Sequence, residues 1–349
     1  MMALPNRPRT ACLLVVAALL AGCSGDPTPT AAPALSPSAA APVPAPTIAA
    51  KAKATGLAAD PLTGRKQVPT GPVVAIKIDN SPLARPYHRG LGEASIVYQE
   101  LMEGGSSRFL AVYAPATGTE VGPVRSVREG DLELLQQFGK VALGSSGGNA
   151  GVLATVAQAA RAGQLLDANY DVLPGPYRKG ERRRDAINFF TSPQRIDQAK
   201  PNGMRVHDIG LRFGPLATGA GFPATRASIS FSPITRVRVE YDAAAGTYAV
   251  FQDGDRMKDY APTNIVIQHS KIALSRYVDV LGSPSPYTTT IGSGPVAILR
   301  DGRRISGTWR RLVGDTGTRF LDDKGRDLPL KVGSTLVLLV PAGRPLDVG

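Results

Sequence analysis

The sequence predicts an α/β layer domain followed by a smaller, mainly antiparallel β domain. Two observations support this prediction. In the first half, short runs rich in β-branched residues alternate with helical patterns, which is typical of helices packed against a sheet. From about Ala227 onward, alternating apolar residues are separated by turn sequences, and the absence of a long helical pattern there favours hairpins.

The elements of the first half follow from apolar spacing and turn residues. The run PVVAIKID at 72–79 is short, β-branched and closed by a turn sequence, so it predicts a buried strand. Gly163 predicts the end of a helix. In chain order we predict a strand at 72–79 and then a helical pattern through Ala94, Ile96 and Val97, which gives way to the sequence VYQEL at 97–101. A strand at 108–114, a helix at 131–138, a strand at 141–143 and a helix at 150–162 follow.

In the second half, three dipeptides mark hairpin turns: Asp253-Gly254, Asp301-Gly302 and Lys324-Gly325. Residue pairs of this kind suit turns that need a positive φ. The strands predicted between them are 237–241, 247–252, 263–269, 294–300, 308–312 and 336–340.

The amino-terminal residues resemble a bacterial lipoprotein signal. Arg7 and Arg9 precede an apolar run at 11–20, which is too short to span a bilayer because a spanning helix needs about 20 apolar residues. The sequence LAGC at 20–23 is a lipobox, which predicts cleavage before Cys23 and lipidation of its thiol. An ordinary secretory signal is the alternative.

Residues 24–53 are mostly Ala, Pro, Ser and Thr, which indicates a semi-stiff disordered tether.

These features divide the chain into four parts. We predict a signal peptide at 1–22, the lipidated cysteine and tether at 23–55, the α/β domain at 56–222 and the mainly β domain at 223–349. The expected location is therefore the outer face of the cell membrane, with the folded part held there through the lipid anchor.

Composition limits the partners and cofactors. The chain has 40 basic and 28 acidic residues, and removal of the signal peptide leaves 38 against 28, a formal charge of +10. In an exported protein this excess favours anionic lipid headgroups, wall polymers or phosphorylated wall precursors over nucleic acid as partners, although solubility alone also explains it.

Cys12 leaves with the signal peptide and Cys23 is acylated, so disulfides are excluded. His88, His207 and His269 lack metal-ligand spacing, and neither a metal nor another cofactor is predicted.

A dense set of charged residues lies between positions 79 and 131. Several follow predicted strands, and the carboxyl ends of strands in open α/β sheets are where ligands usually bind. Guanidinium groups there can hold a phosphate or carboxylate through two hydrogen bonds, whereas an internal ion network is the alternative interpretation. The candidate residues are Asp79, Arg85, Glu100, Arg108, Arg125 and Arg128, with Glu103 and Asp131 beside them.

A glycine-rich loop at 144–149 precedes the helix predicted at 150–162. Gly147 and Gly148 allow backbone N–H groups to converge on an anion ahead of the helix, although a Walker A lysine is missing. The same residues match G-x-S-x-G, which makes Ser146 a candidate hydrolase nucleophile. A plain tight turn between strand and helix is the third interpretation. A basic cluster, RKGERRR at 178–184, suits a solvated loop or contact with anionic polymer.

These residues favour a surface-tethered binding or accessory protein over an enzyme. The four candidate arginines would hold an anionic ligand of the cell envelope, with Asp79 and Glu100 orienting them. The same arginines also suit an enzyme that transfers phosphoryl groups or polymers. A structural module that recruits unidentified protein partners through the β domain is a further alternative.

The chain resembles the YerB-type family of bacterial lipoproteins, which have two domains of unknown function. The resemblance implies the same two-domain fold and location, and it implies no established reaction. At 186–190 relatives tend to have a histidine, whereas this chain has AINFF and keeps only Asn188. Residues 107–128 also resemble, more faintly, wall-polymer phosphotransferases of the LytR-CpsA-Psr type. The similar stretches are 60–64 (DPLTG), 78–80 (IDN), 84–86 (ARP), 94–103 (ASIVYQELME), 107–111 (SRFLA), 122–128 (GPVRSVR), 239–242 (VEYD), 264–268 (NIVIQ), 292–294 (GSG) and 318–320 (TRF).

Overall fold

The structure, a computed structural model, describes residues 57–180, 189–279 and 282–349. The predicted signal peptide, Cys23 and the tether lie outside the described residues. So do Asn188 and most of the basic cluster at 178–184.

The first half of the described chain contains strands and three α-helices. Isolated 3₁₀ turns precede or follow several of them, as at Leu91–Glu93 and Gln136–Phe138. The elements are β1 (Val74–Asp79), β2 (Ile96–Leu101), β3 (Ser107–Tyr113), α1 (Glu129–Leu135), β4 (Ala142–Ser145), α2 (Ala150–Arg161), β5 (Leu166–Asn169), β6 (Arg178–Lys179), β7 (Phe189–Phe190) and α3 (Pro193–Ala199).

The described part of the second half contains strands and no α-helix. Asp301 and Gly302 both have positive φ, 53° and 66°, as a tight hairpin turn requires. The elements are β8 (Phe222–Pro223), β9 (Arg226–Ser230), β10 (Arg236–Asp242), β11 (Thr247–Gln252), β12 (Asp255–Arg256), β13 (Asn264–Ser270), β14 (Ile272–Val278), β15 (Pro284–Thr288), β16 (Gly292–Arg300), β17 (Arg303–Arg311), β18 (Arg319–Leu321), β19 (Thr335–Pro341) and β20 (Leu346–Val348).

One predicted element is wrong. The pattern through Ala94, Ile96 and Val97 suggested a helix, but β2 already begins at Ile96. Ile96 packs into the core on one face of the sheet and Val97 into the core on the other. A strand buried on both faces has an almost continuous apolar run, so the strand alternation is lost and the spacing mimics a helix.

A mixed sheet of eleven strands runs through both halves of the chain. Its order is β18-β17-β16-β13-β19-β2-β3-β1-β4-β5, with β8 paired to β17. Strand β19, near the carboxyl terminus, lies between β13 and β2 and is parallel to both. The large mixed sheet is therefore shared between the two predicted domains, and the protein has more strand and less helix than the α/β pattern suggested.

The helices and a second sheet cover the faces of the large sheet. Leu134 of α1 and Val152 of α2 share a core with Leu110 of β3 on one face. On the opposite face, the five-stranded sheet β12-β11-β10-β9-β20 packs through residues such as Ile229 against Ile267. The two-stranded β14-β15 arm extends from the second half onto α1 and α2, where it contacts Glu129 and Asn149.

Because β19 completes the sheet for both halves, we expect the described fold to unfold in one transition. Leu338→Ala, at a buried site in β19, should lower the free energy of unfolding by about 2–5 kcal/mol. Fluorescence of Trp309 reports unfolding of the second half of the chain, and hydrogen exchange of the β1 and β3 amides reports unfolding of the first half. The exposed Val332→Ala serves as the control. Two separate transition midpoints would contradict the expectation.

Candidate functional site

Three of the predicted site residues lie in one row across the sheet. Asp79, at the end of β1, is opposite Arg108 of β3, and Arg108 is opposite Glu100 of β2. Directly opposite residues project from the same face of a sheet, with Cβ atoms about 5 Å apart. The row lies on the face that α1 covers, because Leu110, two residues after Arg108, packs in the same core as Leu134 of α1.

A buried lysine next to this row holds the cluster together. Lys77 is fully buried, and its ammonium group donates to the carboxylate of Glu100 and, at 2.6 Å, to Oδ1 of Asp131 on α1. Sequence reasoning missed Lys77, because PVVAIKID was interpreted only as a buried strand. The available signal was the lysine itself, since a lysine inside a buried apolar run needs a charged partner.

The pKa values of the two carboxyl groups that share Lys77 are shifted in opposite directions. Burial raises the pKa of Glu100 to about 8, the nearby charge of Asp131 adds to this, and Lys77 opposes it. Burial acts in the same direction on Asp131, but Lys77 and hydrogen bonds from Glu100 and the Arg128 amide outweigh it and lower the pKa of Asp131. The Arg128 N–H donates to Oδ2 of Asp131 at 2.7 Å.

Arg128 is neutralised by an acid partner. Its Nε and Nη2 groups donate to the two carboxylate oxygens of Glu103 at 2.7 and 3.0 Å. The Ser285 hydroxyl, on β15, donates to the same carboxylate. Burial alone would raise the pKa of Glu103, but the hydrogen bonds from Arg128 and Ser285 lower it to about 2. The guanidinium of Arg128 is therefore committed to a buried ion pair.

Arg125 is paired less completely. Its Nε lies 3.2 Å from Oδ2 of Asp79, although this N–H makes no well-directed hydrogen bond. The other oxygen of Asp79 accepts the amide of Ser81 at 2.9 Å. The side chain of Arg125 is 31% exposed, so part of its guanidinium faces solvent.

Arg108 lacks an acid partner among the described residues. Its one hydrogen bond there is from Nη1 to the backbone carbonyl of Ser126, at 3.1 Å. Burial lowers the pKa of Arg108 to about 10, and the positive charges of Arg128 and Arg125 act in the same direction. The charges of Asp79 and Glu103 oppose this shift, but neither acid forms a salt bridge with Arg108, so this half-buried guanidinium has no ion pair among the described residues.

Arg85 makes its contacts elsewhere than in the anion site that was predicted for it. Its guanidinium pairs with Asp253 at 2.5 Å and donates to the backbone carbonyls of Gln252 and Asn80. These bonds join the turn after β1 to the end of β11. We therefore leave Arg85 out of the candidate site.

The glycine-rich loop lies beside Arg125, where it follows β4. The Ser146 amide donates to the Arg125 carbonyl at 3.0 Å, and the Gly147 carbonyl accepts from Val127 at 3.2 Å. Gly147 has a φ of 74°, which favours glycine. A Cβ on Gly148 would lie 2.9 Å from the Leu153 side chain, so this glycine permits close packing. The turn thus has structural reasons for both glycines.

None of the three histidines, all within the described residues, hydrogen-bonds to Ser146. His88 bonds to the carbonyl of Asp79, His207 to that of Gln137, and His269 to that of Pro341. Burial lowers the pKa of His88 to about 4, with the Asp79 carbonyl opposing this shift. The hydrolase interpretation of Ser146 receives no support from these contacts.

Two of the sequence motifs that resemble the family have different roles: DPLTG has a structural role, and GPVRSVR contributes to the charged cluster. In DPLTG, Oδ1 of Asp60 accepts the Leu62 amide at 2.9 Å, and Gly64 packs where a Cβ would clash with Phe213. The motif GPVRSVR at 122–128 instead supplies Arg125, the Ser126 carbonyl and Arg128 to the charged cluster.

The fold and the cluster define a two-part, sheet-rich protein with an excess positive charge at strand ends. Residues 55–205 match the N-terminal domain, and residues 227–337 the C-terminal domain, of the family described as protein of unknown function DUF3048. The chain belongs to this family. The predicted YerB-type resemblance is therefore confirmed, whereas the domain boundaries stay predictions.

Two comparisons with Bacillus subtilis YerB agree with this assignment. The relative named "Putative lipoprotein YerB" (strain 168) is 42% identical over 84 residues, which cover 23% of this chain and a quarter of that protein. The crystal structure of YerB is 24% identical, with a TM-score of 0.67 over 83% of this chain and 99% of that one. This likeness shows the fold alone. In the described ranges, every helix is too short or too polar to cross a membrane.

Removal of the buried ammonium group should destabilise the fold. Lys77→Met leaves the buried carboxylate of Asp131 without its counter-charge, so we expect the free energy of unfolding to fall by about 3–5 kcal/mol. Addition of Asp131→Asn should recover part of this loss. Chemical denaturation measures both effects, with the exposed Lys66→Met as control. A Lys77→Met protein as stable as the control would contradict the pairing.

Proposed function

We propose that this chain is a membrane-anchored lipoprotein that binds an anionic ligand of the cell envelope through Arg108 and Arg125. The observation that carries the proposal is the guanidinium of Arg108, which has no acid partner among the described residues. Arginine is well suited to this role because its planar fork matches phosphate and carboxylate oxygens and keeps its charge.

Charge pairing supports the choice of these two arginines. Arg128 is held by Glu103, and Lys77 by Asp131 together with Glu100. Only Asp79 remains, and it lies against Arg125. With Glu100 largely protonated at neutral pH, the cluster keeps about one positive charge. A half-buried charge of this kind is stabilised when an anion supplies the missing partner.

The position in the sheet also supports a ligand site. Strands β1 and β4 are parallel, and Asp79 and the loop at 146–148 follow their carboxyl ends. In open sheets with parallel strands, ligands bind outside these ends. Arg125 lies between the two ends, because its backbone hydrogen-bonds to both Lys77 and Ser146.

The proposed location rests on the lipobox at 20–23 and on the similarity to the relative named "Putative lipoprotein YerB". An anchor on the outer membrane face brings the basic protein close to lipid-linked and wall-linked phosphates. We therefore favour a phosphate-bearing envelope component as the ligand.

Arg108→Ala should weaken binding of inorganic pyrophosphate by about tenfold or more, because a charged hydrogen bond contributes about 1.5–3 kcal/mol. Arg108→Lys should restore part of the loss, since it keeps the charge without the planar fork. Isothermal titration calorimetry at low ionic strength measures these affinities. The control is Arg161→Ala, which removes an exposed arginine from the end of α2.

Equal loss of pyrophosphate affinity in Arg108→Ala and Arg161→Ala would indicate that only net charge matters, and it would overturn the proposed site. Lack of saturable binding in the unaltered protein, both to pyrophosphate and to a phosphorylated wall precursor, would overturn the proposed function.

The lipid anchor gives a separate expectation. Cys23→Ser should abolish the acyl modification and leave the chain uncleaved after residue 22, because the thiol accepts the lipid. Mass spectrometry of the amino-terminal peptide identifies the modification. An unmodified Cys23 thiol in membrane-extracted native protein would contradict the anchor.

A further inference from the structure

Two carboxyl groups share one ammonium group inside the cluster. Glu100 and Asp131 both accept from Lys77. All three residues are buried, with at most 4% of any of the three side chains exposed. If both carboxyl groups were ionised, the trio would hold an uncompensated negative charge away from water. A proton kept by one of the two carboxyl groups removes this charge.

The hydrogen-bond donors show which carboxyl group keeps that proton. Asp131 accepts the Arg128 amide at 2.7 Å as well as the Lys77 ammonium, and both donors favour its ionised form. For Glu100 the donor is Lys77, and no backbone amide among the described residues donates to its carboxyl group. Glu100 is therefore the protonated partner at neutral pH, in agreement with its pKa of about 8.

Glu100 lies directly opposite Arg108 of the proposed anion site in the pairing of β2 with β3. Its strand neighbours are Arg108 on β3 and the uncharged Leu339 on β19. Lys77 on β1 and Asp131 on α1 face it from the sides, and the uncharged Thr288 of β15 lies against it through Gly130. Among these neighbours, Arg108 is the charged residue that belongs to the proposed anion site. Burial leaves little water to screen its charge from Glu100.

We propose that a proton on Glu100 controls anion binding at Arg108 and Arg125, so that the site binds its ligand when Glu100 is neutral and releases it when Glu100 ionises. The proposal rests on the function proposed above. Ionised Glu100 becomes the acid partner that Arg108 lacks, and the excess positive charge of the cluster disappears. By linkage, a bound anion also favours proton uptake by Glu100.

Sulfate is the appropriate probe, because its charge stays constant over the range in which Glu100 titrates. In the unaltered full chain, sulfate affinity should fall at least about fivefold between about pH 7 and about pH 9, a typical coupling between two sites. Glu100→Gln imitates the neutral carboxyl group, so its sulfate affinity should change less than about twofold over the same range. The exposed Glu93→Gln serves as the control and should keep the full pH dependence.

The outcomes separate this proposal from the proposed function. Sulfate binding that does not vary with pH in the unaltered protein, or that varies equally in Glu100→Gln, would overturn the proton switch and leave the anion site intact. Lack of sulfate binding at about pH 7 in both proteins would count against the anion site itself. Infrared difference spectra of the unaltered protein give an independent measurement. They should show loss of a protonated carboxyl band as pH rises through about 8, and a spectrum without that band would overturn the proposal.

Discussion

The ammonium group of Lys77 is the interaction on which the charged cluster depends. A fully buried lysine requires acid partners, and these come from β2 and α1, so one side chain fixes three elements relative to one another. Since β3 lies between β1 and β2, the same arrangement places Arg108 between Asp79 and Glu100. The position of the Arg108 guanidinium is thus a consequence of strand order and of one buried charge.

The second half of the chain takes part in this site without supplying its arginines. Strand β19 pairs with β2 and so holds the strand that carries Glu100. The β14-β15 arm is joined to the acidic residues of the first half by hydroxyl groups: Ser275 donates to Glu129, and Tyr287 donates to Glu133 at 2.6 Å. In this chain, contacts from the second half therefore help to hold the strand and the helix that carry the charged cluster.

Sequence reasoning located β1, β3, β4, β13, β16, β17 and β19 of the large sheet and β10 and β11 of the second sheet, and it missed short or edge strands such as β5, β12 and β20. The structure brings five of the charged candidates into one cluster, and their role as a site stays a prediction. Sequence reasoning succeeded because short β-branched runs and Asp-Gly turns specify strands locally, and because residues at strand ends converge. It missed Lys77, whose partners are distant in sequence, and it misplaced Arg85, which follows a turn. Beyond a strand end, alternation no longer fixes the direction of a side chain, so the pairing of Arg85 with Asp253 had no local signal.

The two interpretations of the charged residues, ligand cleft and internal ion network, turn out to describe different members of one cluster. Arg128 belongs to the network, because both oxygens of Glu103 hold it. Arg108 belongs to the proposed site: the acid opposite it, Glu100, is buried beside Asp131, and burial raises the pKa of Glu100. Under the proposed function, binding capacity depends on the balance between arginines and ionised acids, so the number of arginines alone is a poor guide. In a family without an established reaction, this balance at the row of Asp79, Arg108 and Glu100 is the physical property to compare between relatives.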